Sequence, residues 1–574
     1  MTLVHPISDI AADTATHLQQ ALNCSAIIAT ILVRRGIDTP EKGRVYLECP
    51  LDVLRDPMHL YGMGAAVARI VAAIHHREPI LVFGDYDADG VSATCLMVEF
   101  LRDCGALVSS HIPHRITDGY GFHPDSLNDN TVPEGTRLIV TVDCGISSHD
   151  AVTAAAQRGI DVIITDHHDV GPTVPPAVAV INPKQPRCTA GVDHLAGVGV
   201  AFYLAIAVRS GLRIAGYWSA RRPEPNMMAY IDLVALGTLA DVVPLILENR
   251  ILVRRGLQLM RAGLRPGLAA LTGSGGSQNL SSDDVTFRLA PPINAAGRLR
   301  HADRALQLLL SRDPETAEES ARHLLDLNAR RKDLEHQILQ AAATALAAAV
   351  GDPPPAAIVL ADAQWHLGVL GIVASRLSSQ HGCPAILFTR NGDHWKGSGR
   401  SPEGIDIMAC LNRCSEGIHA YGGHSAAAGL TLTDRQMADF AARFNDAVAV
   451  QLATQCPSPP IAADLELPLS AVTPELADQL LTLEPFGSGN PEPVFLSRHV
   501  TIVSVKAMGG SHCRLIVAPR GRDTAPRLSA VYFNAPWTPS SGDTLDTLSY
   551  HIRWNYWNGR RTLQLLVVSI CDRA

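Results

Sequence analysis

PILVFGDYDADG (residues 79–90) runs from an apolar stretch into a turn that carries three aspartates, Asp85, Asp87 and Asp89. Ile, Val and Phe favour a pleated, buried strand. Gly84 and Gly90 bracket the acidic turn, and Ser92–Cys104 follows with a helical pattern. The segment reads as strand, turn, helix. Three carboxylates this close repel one another and are costly to hold together unless a multivalent cation neutralises them. One or two acidic residues here would read as turn residues facing water; three at a strand end point to a metal.

The same pattern recurs outward from this segment. RLIVTVD (137–143), DVIITD (161–166) and AVAVIN (177–182) read as buried strands, with a helix-like run at Asp150–Arg158. Strands alternating with helices predict a parallel sheet covered on both faces. Ligands of such sheets gather at the carboxyl ends of the strands. Asp143 ends one strand, and Asp166-His167-His168 ends the next. Asp241 lies in the apolar stretch ALGTLADVVPL, where an unpaired carboxylate is expensive. Taken alone, His167 and His168 read as a satisfied pair; beside the strand-end aspartates they read as ligands. Carboxylates with imidazole suit Mn²⁺, Mg²⁺ or another hard-to-borderline divalent ion.

The 574 residues exceed what one hydrophobic core holds. A long helical pattern covers Asp313–Val350, and GDPPP (351–355) stops it. A second α/β unit begins at AAIVLAD (356–362), and PSPP (457–460) marks another boundary. The β-type segments TIVSV, CRLIVA, RLSAVYF and TLQLLVVSI follow, separated by Gly, Pro and Ser turns, and predict a small β-barrel. The units expected are 1–312 with an N-terminal extension, a linking helix 313–352, an α/β unit 353–456 and a β unit 461–574.

Composition sets the class. Hydrophobic residues make up 47% and charged residues 18%, which fits a globular chain. The opening MTLVHPISDIAAD lacks a basic start and an apolar run, and no stretch reads as apolar for long enough to span a bilayer. The expectation is a cytoplasmic protein without a membrane partner. In that compartment the 12 cysteines read as free thiols, and Cys410 and Cys414 lack a second pair for zinc. The net charge is −8, yet from Arg498 onward ten Lys or Arg face four Asp or Glu, a balance of +6. The rest therefore carries −14. An acidic body with a basic tail fits a metal site joined to a polyanion-binding unit, and equally an ordinary charge excess.

DYDADG, the Asp143 strand, DHH and the Asp241 segment, in this order and spacing, resemble the DHH phosphoesterase superfamily. GSGRS (397–401) and YGGHSAAAG (421–429) resemble the accessory DHHA1 domain of those enzymes. IPHRITDGYGF (112–122), INAAGR (293–298) and EPFGSGNPEPVF (484–495) resemble the RecJ branch, and the likeness covers nearly the whole chain. It implies a 5′→3′ exonuclease on single-stranded DNA that releases 5′-mononucleotides with two divalent cations, Mn²⁺ or Mg²⁺, in DNA repair and recombination. It also implies a single-strand-binding protein and a helicase as partners. Asp85 and Asp143 would bind one metal, and Asp87, Asp143, His167 and Asp241 the other. Asp89 would support the turn, His168 would face the scissile phosphate, and Arg298 would bind it. Arg115, Ser398 and Arg400 would hold phosphates toward the 5′ end, with His424 in the same cleft. Many relatives carry a His ligand where this chain has Phe83.

The terminal unit resembles an oligonucleotide-binding barrel. Trp554 and Arg560, within RWNYWNGRR, would stack on and neutralise an unpaired strand. Strand alternation places Trp554 and Trp557 on opposite faces, so one of them belongs to the barrel core. Two other readings of the chain stand beside this one. One is a DHH phosphodiesterase for short oligonucleotides or cyclic dinucleotides, and the other is a non-catalytic nucleic-acid-binding scaffold.

Overall fold

The structure, a computed structural model, describes residues 9–128, 130–273, 278–348, 355–453, 463–521, 527–535, 539–557 and 559–572. PSPP (457–460) and all but the last residue of GDPPP lie outside the described residues. The described chain opens with three helices, α1 (Asp9–Leu22), α2 (Ala26–Arg34) and α3 (Pro40–Glu48). The first sheet then comprises β1 (Ile80–Gly84), β2 (Val108–His111), β3 (Leu138–Val142), β4 (Asp161–Thr165) and β5 (Ala179–Ile181). All are parallel, in the order β2-β1-β3-β4-β5. The short edge strand β2 escapes sequence reading because VSSH is polar and half-buried along its length.

Strand alternation divides the sheet between two cores. Ile80 and Val82 join one with helices α4 (Met63–His76), α5 (Ala88–Asp103), α7 (Gly197–Ile214) and α8 (Ile231–Ala240). Leu81 and Phe83 join the other, with Phe122 and with Val152 of α6 (His149–Gln157). Helix α7 is by length and composition apolar enough to cross a membrane, contrary to the expectation that no stretch is. It is a core helix, with 67% of its apolar window buried. An all-round apolar helix is what a position between sheet and neighbouring helices requires.

The linking helix spans Pro314–Ala348 and packs against the helices Pro266–Thr272, Ala290–Leu299 and Leu367–His381. It leads to a second sheet of β6 (Ile358–Ala361), β7 (Ala385–Asn391), β8 (His394–Arg400), β9 (Ala420–His424) and β10 (Ala427–Leu432), ordered β6-β7-β8-β10-β9. The C-terminal strands are β11 (Leu465–Glu466), β12 (Phe495–Ala507), β13 (Cys513–Pro519), β14 (Leu528–Tyr532), β15 (Thr544–Trp557) and β16 (Arg560–Asp572). Pairing of β15 with both β16 and β12 closes the expected barrel.

The packing corrects one boundary. Leu18, Ile28, Ile31 and Leu32 of α1 and α2 share a core with Val500, Leu515 and Leu548 of the barrel. The N-terminal extension therefore belongs with the last unit rather than with the first sheet. A polar seam ties both to the body. Tyr46 of α3 donates to Asn490 Oδ1 at 2.7 Å, and Asn490 donates to Leu483 O and Pro485 O. Arg250, buried in α9 (Leu247–Ala262), lies 3.7 Å over the Tyr46 ring and donates to Leu483 O. The EPFGSGNPEPVF motif thus serves as the joint between three parts of the chain.

Candidate active site

The acidic turn follows β1 as expected, and its chemistry is organised by helix ends. Asp87 caps α5: one carboxylate oxygen accepts from the Asp89 and Gly90 amides at 3.0 and 3.1 Å. Asp89 reaches across to the start of α7 and accepts from the Gly197 and Val198 amides at 2.7 and 3.0 Å. Each of its two oxygens thus accepts one backbone amide. Gly197 is required there, because a Cβ would come within 2.2 Å of Asp143 Oδ1. Asp143 itself holds a left-handed backbone, φ 61°, which turns its carboxylate back toward β1.

The remaining groups converge on Asp143. His167 Nε2 lies 3.2 Å from Asp143 Oδ1 and 3.6 Å from Asp241 Oδ2. Three sets of side chains offer ligand atoms within 4.8 Å of one another: Asp85, Asp87 and Asp143; Asp89, His167 and Asp241; and Asp143, His167 and His168. Asp143 and His167 are each common to two of them. Asp85 Oδ1 and Asp143 Oδ1 are buried without a hydrogen-bond partner among the described residues. Burial, then the neighbouring carboxylates, raises Asp85, Asp89 and Asp143 well above the usual carboxylate range, and Asp241 to about 7. Burial and the adjacent His168 lower the His167 imidazole to about 3, which leaves it neutral, as a ligand must be. Orphaned buried oxygens with a neutral imidazole fit divalent cations and little else.

Asp166 had no role in the sequence reading, and here it organises the DHH turn. It accepts from the Ile146, His167 and His168 amides and takes His168 Nδ1 at 2.7 Å. Burial lowers the His168 imidazole, but the Asp166 bond outweighs it, and the result is raised to about 9. The Tyr120 hydroxyl lies 3.1 Å from the same ring. Tyr86 and Tyr120, inside DYDADG and IPHRITDGYGF, also line this cleft, and no spacing in those motifs marks them as site residues. Phe83 packs against Phe122 and His111, with ring centroids 5.0 and 5.5 Å away, and contributes no ligand.

Across the cleft lie the arginines. Arg298, at the end of the helix Ala290–Leu299, donates to Gly368 O at 3.4 Å. Asn294, one turn earlier, accepts from the Ala88 amide and fixes that helix on the acidic turn. Burial, then Arg115 and Arg400, lowers the Arg298 guanidinium below its ordinary value; burial and Arg115 lower Arg400. Arg115 lies 4.8 Å over the Tyr86 ring. Among the described residues no carboxylate pairs with Arg115, Arg298 or Arg400. Ser398 lies beside Arg400, and a Cβ at Gly371 would come within 2.9 Å of both side chains. Gly397–Arg400 of GSGRS form the end of strand β8; the helix start facing the cleft is that of Leu367–His381. A cavity of about 470 Å³ lies between Tyr86, Arg115, Tyr120, Gly368 and Ser398. His424 stands exposed at the cleft edge, 3.2 Å from Asp169.

The barrel residues lie elsewhere. Trp554 donates its indole N–H to Asp478 at 2.9 Å, under the Arg561 guanidinium at 4.2 Å. Arg560 is exposed at the start of β16, and the Trp557 side chain lies outside the described residues.

The DHH family N-terminal domain matches residues 79–238, the DHHA1 domain 333–450 and the RecJ OB domain 463–569. The single-stranded-DNA-specific exonuclease RecJ of Dickeya dadantii is 38% identical over 558 residues, covering 94% of this chain and 95% of that protein. The chain belongs to the RecJ family. The Escherichia coli RecJ is 38% identical over 527 residues, covering 89% of this chain and 90% of its own. The crystal structure of RecJ in complex with Mn²⁺ from Thermus thermophilus superposes with TM-score 0.81 at 32% identity, covering 100% of this chain and 79% of that one. A second crystal structure of that RecJ contains Mg²⁺.

Proposed function

We propose that this RecJ-family protein is a cytoplasmic 5′→3′ exonuclease that hydrolyses single-stranded DNA to 5′-mononucleotides, in DNA repair and recombination. The observation that carries the reading is the pairing of opposites across one cleft. Buried carboxylate oxygens without a hydrogen-bond partner face half-buried guanidiniums that no carboxylate pairs with among the described residues. A phosphodiester with two bound cations satisfies both.

Asp85, Asp87, Asp143, His167 and Asp241 would hold two divalent cations, Mn²⁺ or Mg²⁺, which when bound would supply an activated water and charge to offset the leaving oxygen. Arg298 places its guanidinium against the non-bridging oxygens of the attacked phosphate, where negative charge grows. His168, kept protonated by Asp166, supplies a proton to the departing oxygen. Arg115, Ser398 and Arg400 bind the terminal phosphate and so select the 5′ end. The barrel, through Arg560 and the exposed part of the Trp554–Tyr556 strand, takes the unpaired strand beyond. A single-strand-binding protein and a helicase are the partners such an enzyme needs to obtain its substrate.

The test is digestion of 5′-labelled single-stranded DNA, a dinucleotide and a cyclic dinucleotide, with and without Mn²⁺. Labelled mononucleotide released first, and only with metal, is the expected result. Preference for the dinucleotide or cyclic dinucleotide would replace this reading with a short-substrate phosphodiesterase. Binding without cleavage of any substrate would replace it with a scaffold.

A further inference from the structure

Strand β8 presents Lys396, Ser398 and Arg400 on one face of the second sheet, because alternate residues of a strand share a face. Ser398 and Arg400 belong to the phosphate pocket already described; Lys396 has no part in it. Next to Ser398 on this face, Leu387 of β7 is covered by Val369 and Val373 of the helix Leu367–His381. On the other side the neighbours are small. Gly429 of β10 and Gly422 of β9 stand in register with Ser398, and both are exposed. A Cβ at either would meet no atom within 4 Å. Half of the sheet face is therefore a bare floor that begins at the phosphate pocket.

The space above this floor continues past the pocket. The cavity of about 470 Å³ that starts at Tyr86 and Arg115 passes Ser398 and reaches Lys396, Ala420 and Thr431. A second, of about 280 Å³, shares those last three residues and extends to His394 and His419. The two imidazole rings lie 5.0 Å apart and 37° from parallel. Lys396 stands where the cavities meet. It is half-buried, its Nζ donates to Thr431 Oγ1 at 2.9 Å, and among the described residues no carboxylate pairs with it. An ammonium has three donors, so two remain for an anion. Lys396 is about 7 Å along the strand from Ser398, a distance its own side chain spans.

We infer that Lys396 forms a subsite for a further phosphoryl group attached to the terminal 5′-phosphate, so that the enzyme accepts 5′ ends extended by a pyrophosphate link. Two kinds of end share this chemistry: a 5′-triphosphate, and a 5′-adenylated end in which AMP is joined through pyrophosphate. The passage to His394 and His419 has room for what lies beyond the second phosphorus. The inference rests on the exonuclease reading above and adds a substrate class to it. The cut itself is unchanged. Water attacks the phosphorus between the first two nucleotides, and the O3′ of the first leaves and takes a proton. The pyrophosphate link stays intact on the released nucleotide, and the remaining strand begins with a 5′-phosphate.

The test uses the full chain with Mn²⁺ and one oligonucleotide sequence carrying a 5′-monophosphate, a 5′-triphosphate or a 5′-adenylate. Half-saturating DNA concentration is measured, and the first product is weighed by mass spectrometry. Wild type should saturate with at least one extended end at a concentration about tenfold lower than with the monophosphate, and release its first nucleotide with the pyrophosphate link intact. Lys396→Met should lose that advantage and leave the monophosphate end unchanged, whereas Lys396→Arg should keep it. If circular dichroism shows Lys396→Met misfolded, Lys396→Gln takes its place. Loss of the adenylated end alone in a His394→Ala, His419→Ala double variant identifies the nucleotide cap as the ligand; equal use of both extended ends there identifies the phosphates. Extended ends that saturate no lower than the monophosphate in wild type, or a Lys396→Met variant weakened equally for all three ends, overturn the subsite while the exonuclease reading stands. If wild type leaves even the monophosphate oligonucleotide uncut, the exonuclease reading itself fails and this inference falls with it.

Discussion

Arginines in the cleft and arginines on the barrel have opposite surroundings. Arg115, Arg298 and Arg400 lie in or around one cleft and have no carboxylate partner among the described residues. On the barrel, Arg553 pairs with Glu492 and Asp283, Arg561 with Asp478, and Arg498 with Glu466. Burying like charges together without compensation costs stability and persists where a ligand supplies the opposite charge. Paired arginines on a surface contribute locally to the fold and are screened by salt. The difference separates charge kept for substrate from charge spent on structure. It also means that much of the basic balance of the C-terminal unit is neutralised within the protein.

The largest effect expected on the substrate side comes from the carboxylates. Asp143 stands in two of the three ligand sets, so Asp143→Ala should lower cleavage by at least about a thousandfold, the upper scale for losing one preorganised electrostatic group. Binding of single-stranded DNA, measured by fluorescence anisotropy, should persist. Substantial Mn²⁺-dependent cleavage by this variant would remove Asp143 from the bridging position.

A smaller effect should appear as a shift in pH profile. The Asp166 bond holds the His168 imidazole at about 9, above its ordinary value. Its acid form therefore survives through neutral pH and is lost as pH rises through about 9. In Asp166→Asn the raising partner is gone and the burial that lowers the imidazole remains. The alkaline limb of the rate profile should then move down by about two pH units or more, toward or below the ordinary imidazole value. An alkaline limb that stays in place would show that His168 is not the proton donor.

The metal side of the comparison was legible in the sequence, because local spacing carried it. GDYDADG, the strand-end Asp143, DHH and Asp241 each sit at an element boundary that apolar runs reveal. The parallel sheet followed from the same runs, except β2, whose polar VSSH has no such pattern. The barrel side was only half legible. Its strands could be read, but the partners of its arginines are distant: Arg553 and Asp283 are 270 residues apart. No one-dimensional pattern announces that pairing, so RWNYWNGRR looked more available to DNA than its contacts leave it. The sharing of one core by Leu18, Ile31 and Leu548 escaped for the same reason. Asp166 was visible within DHH, yet its role depends on where its oxygens point after the turn. Nothing in GSGRS marks it as a strand, because its glycines suit a crowded strand as well as a helix start, and here Gly399 packs against Ile407 and Ile386.

The contrast between free and paired arginines is tested most directly by a single comparison of substrate ends. The half-saturating concentration is measured for the same oligonucleotide with a 5′-phosphate and with a 5′-hydroxyl, in wild type, Arg400→Ala and Arg561→Ala. Wild type should favour the phosphorylated end. Arg400→Ala should lose that preference, by roughly tenfold if one charge-assisted contact of about 1.5 kcal/mol is removed. Arg561→Ala, which gives up a surface pair with Asp478, should keep the preference and lose no more than about 1 kcal/mol of stability. Retained discrimination in Arg400→Ala, or lost discrimination in Arg561→Ala, would contradict the assignment of unpaired charge to substrate and paired charge to structure.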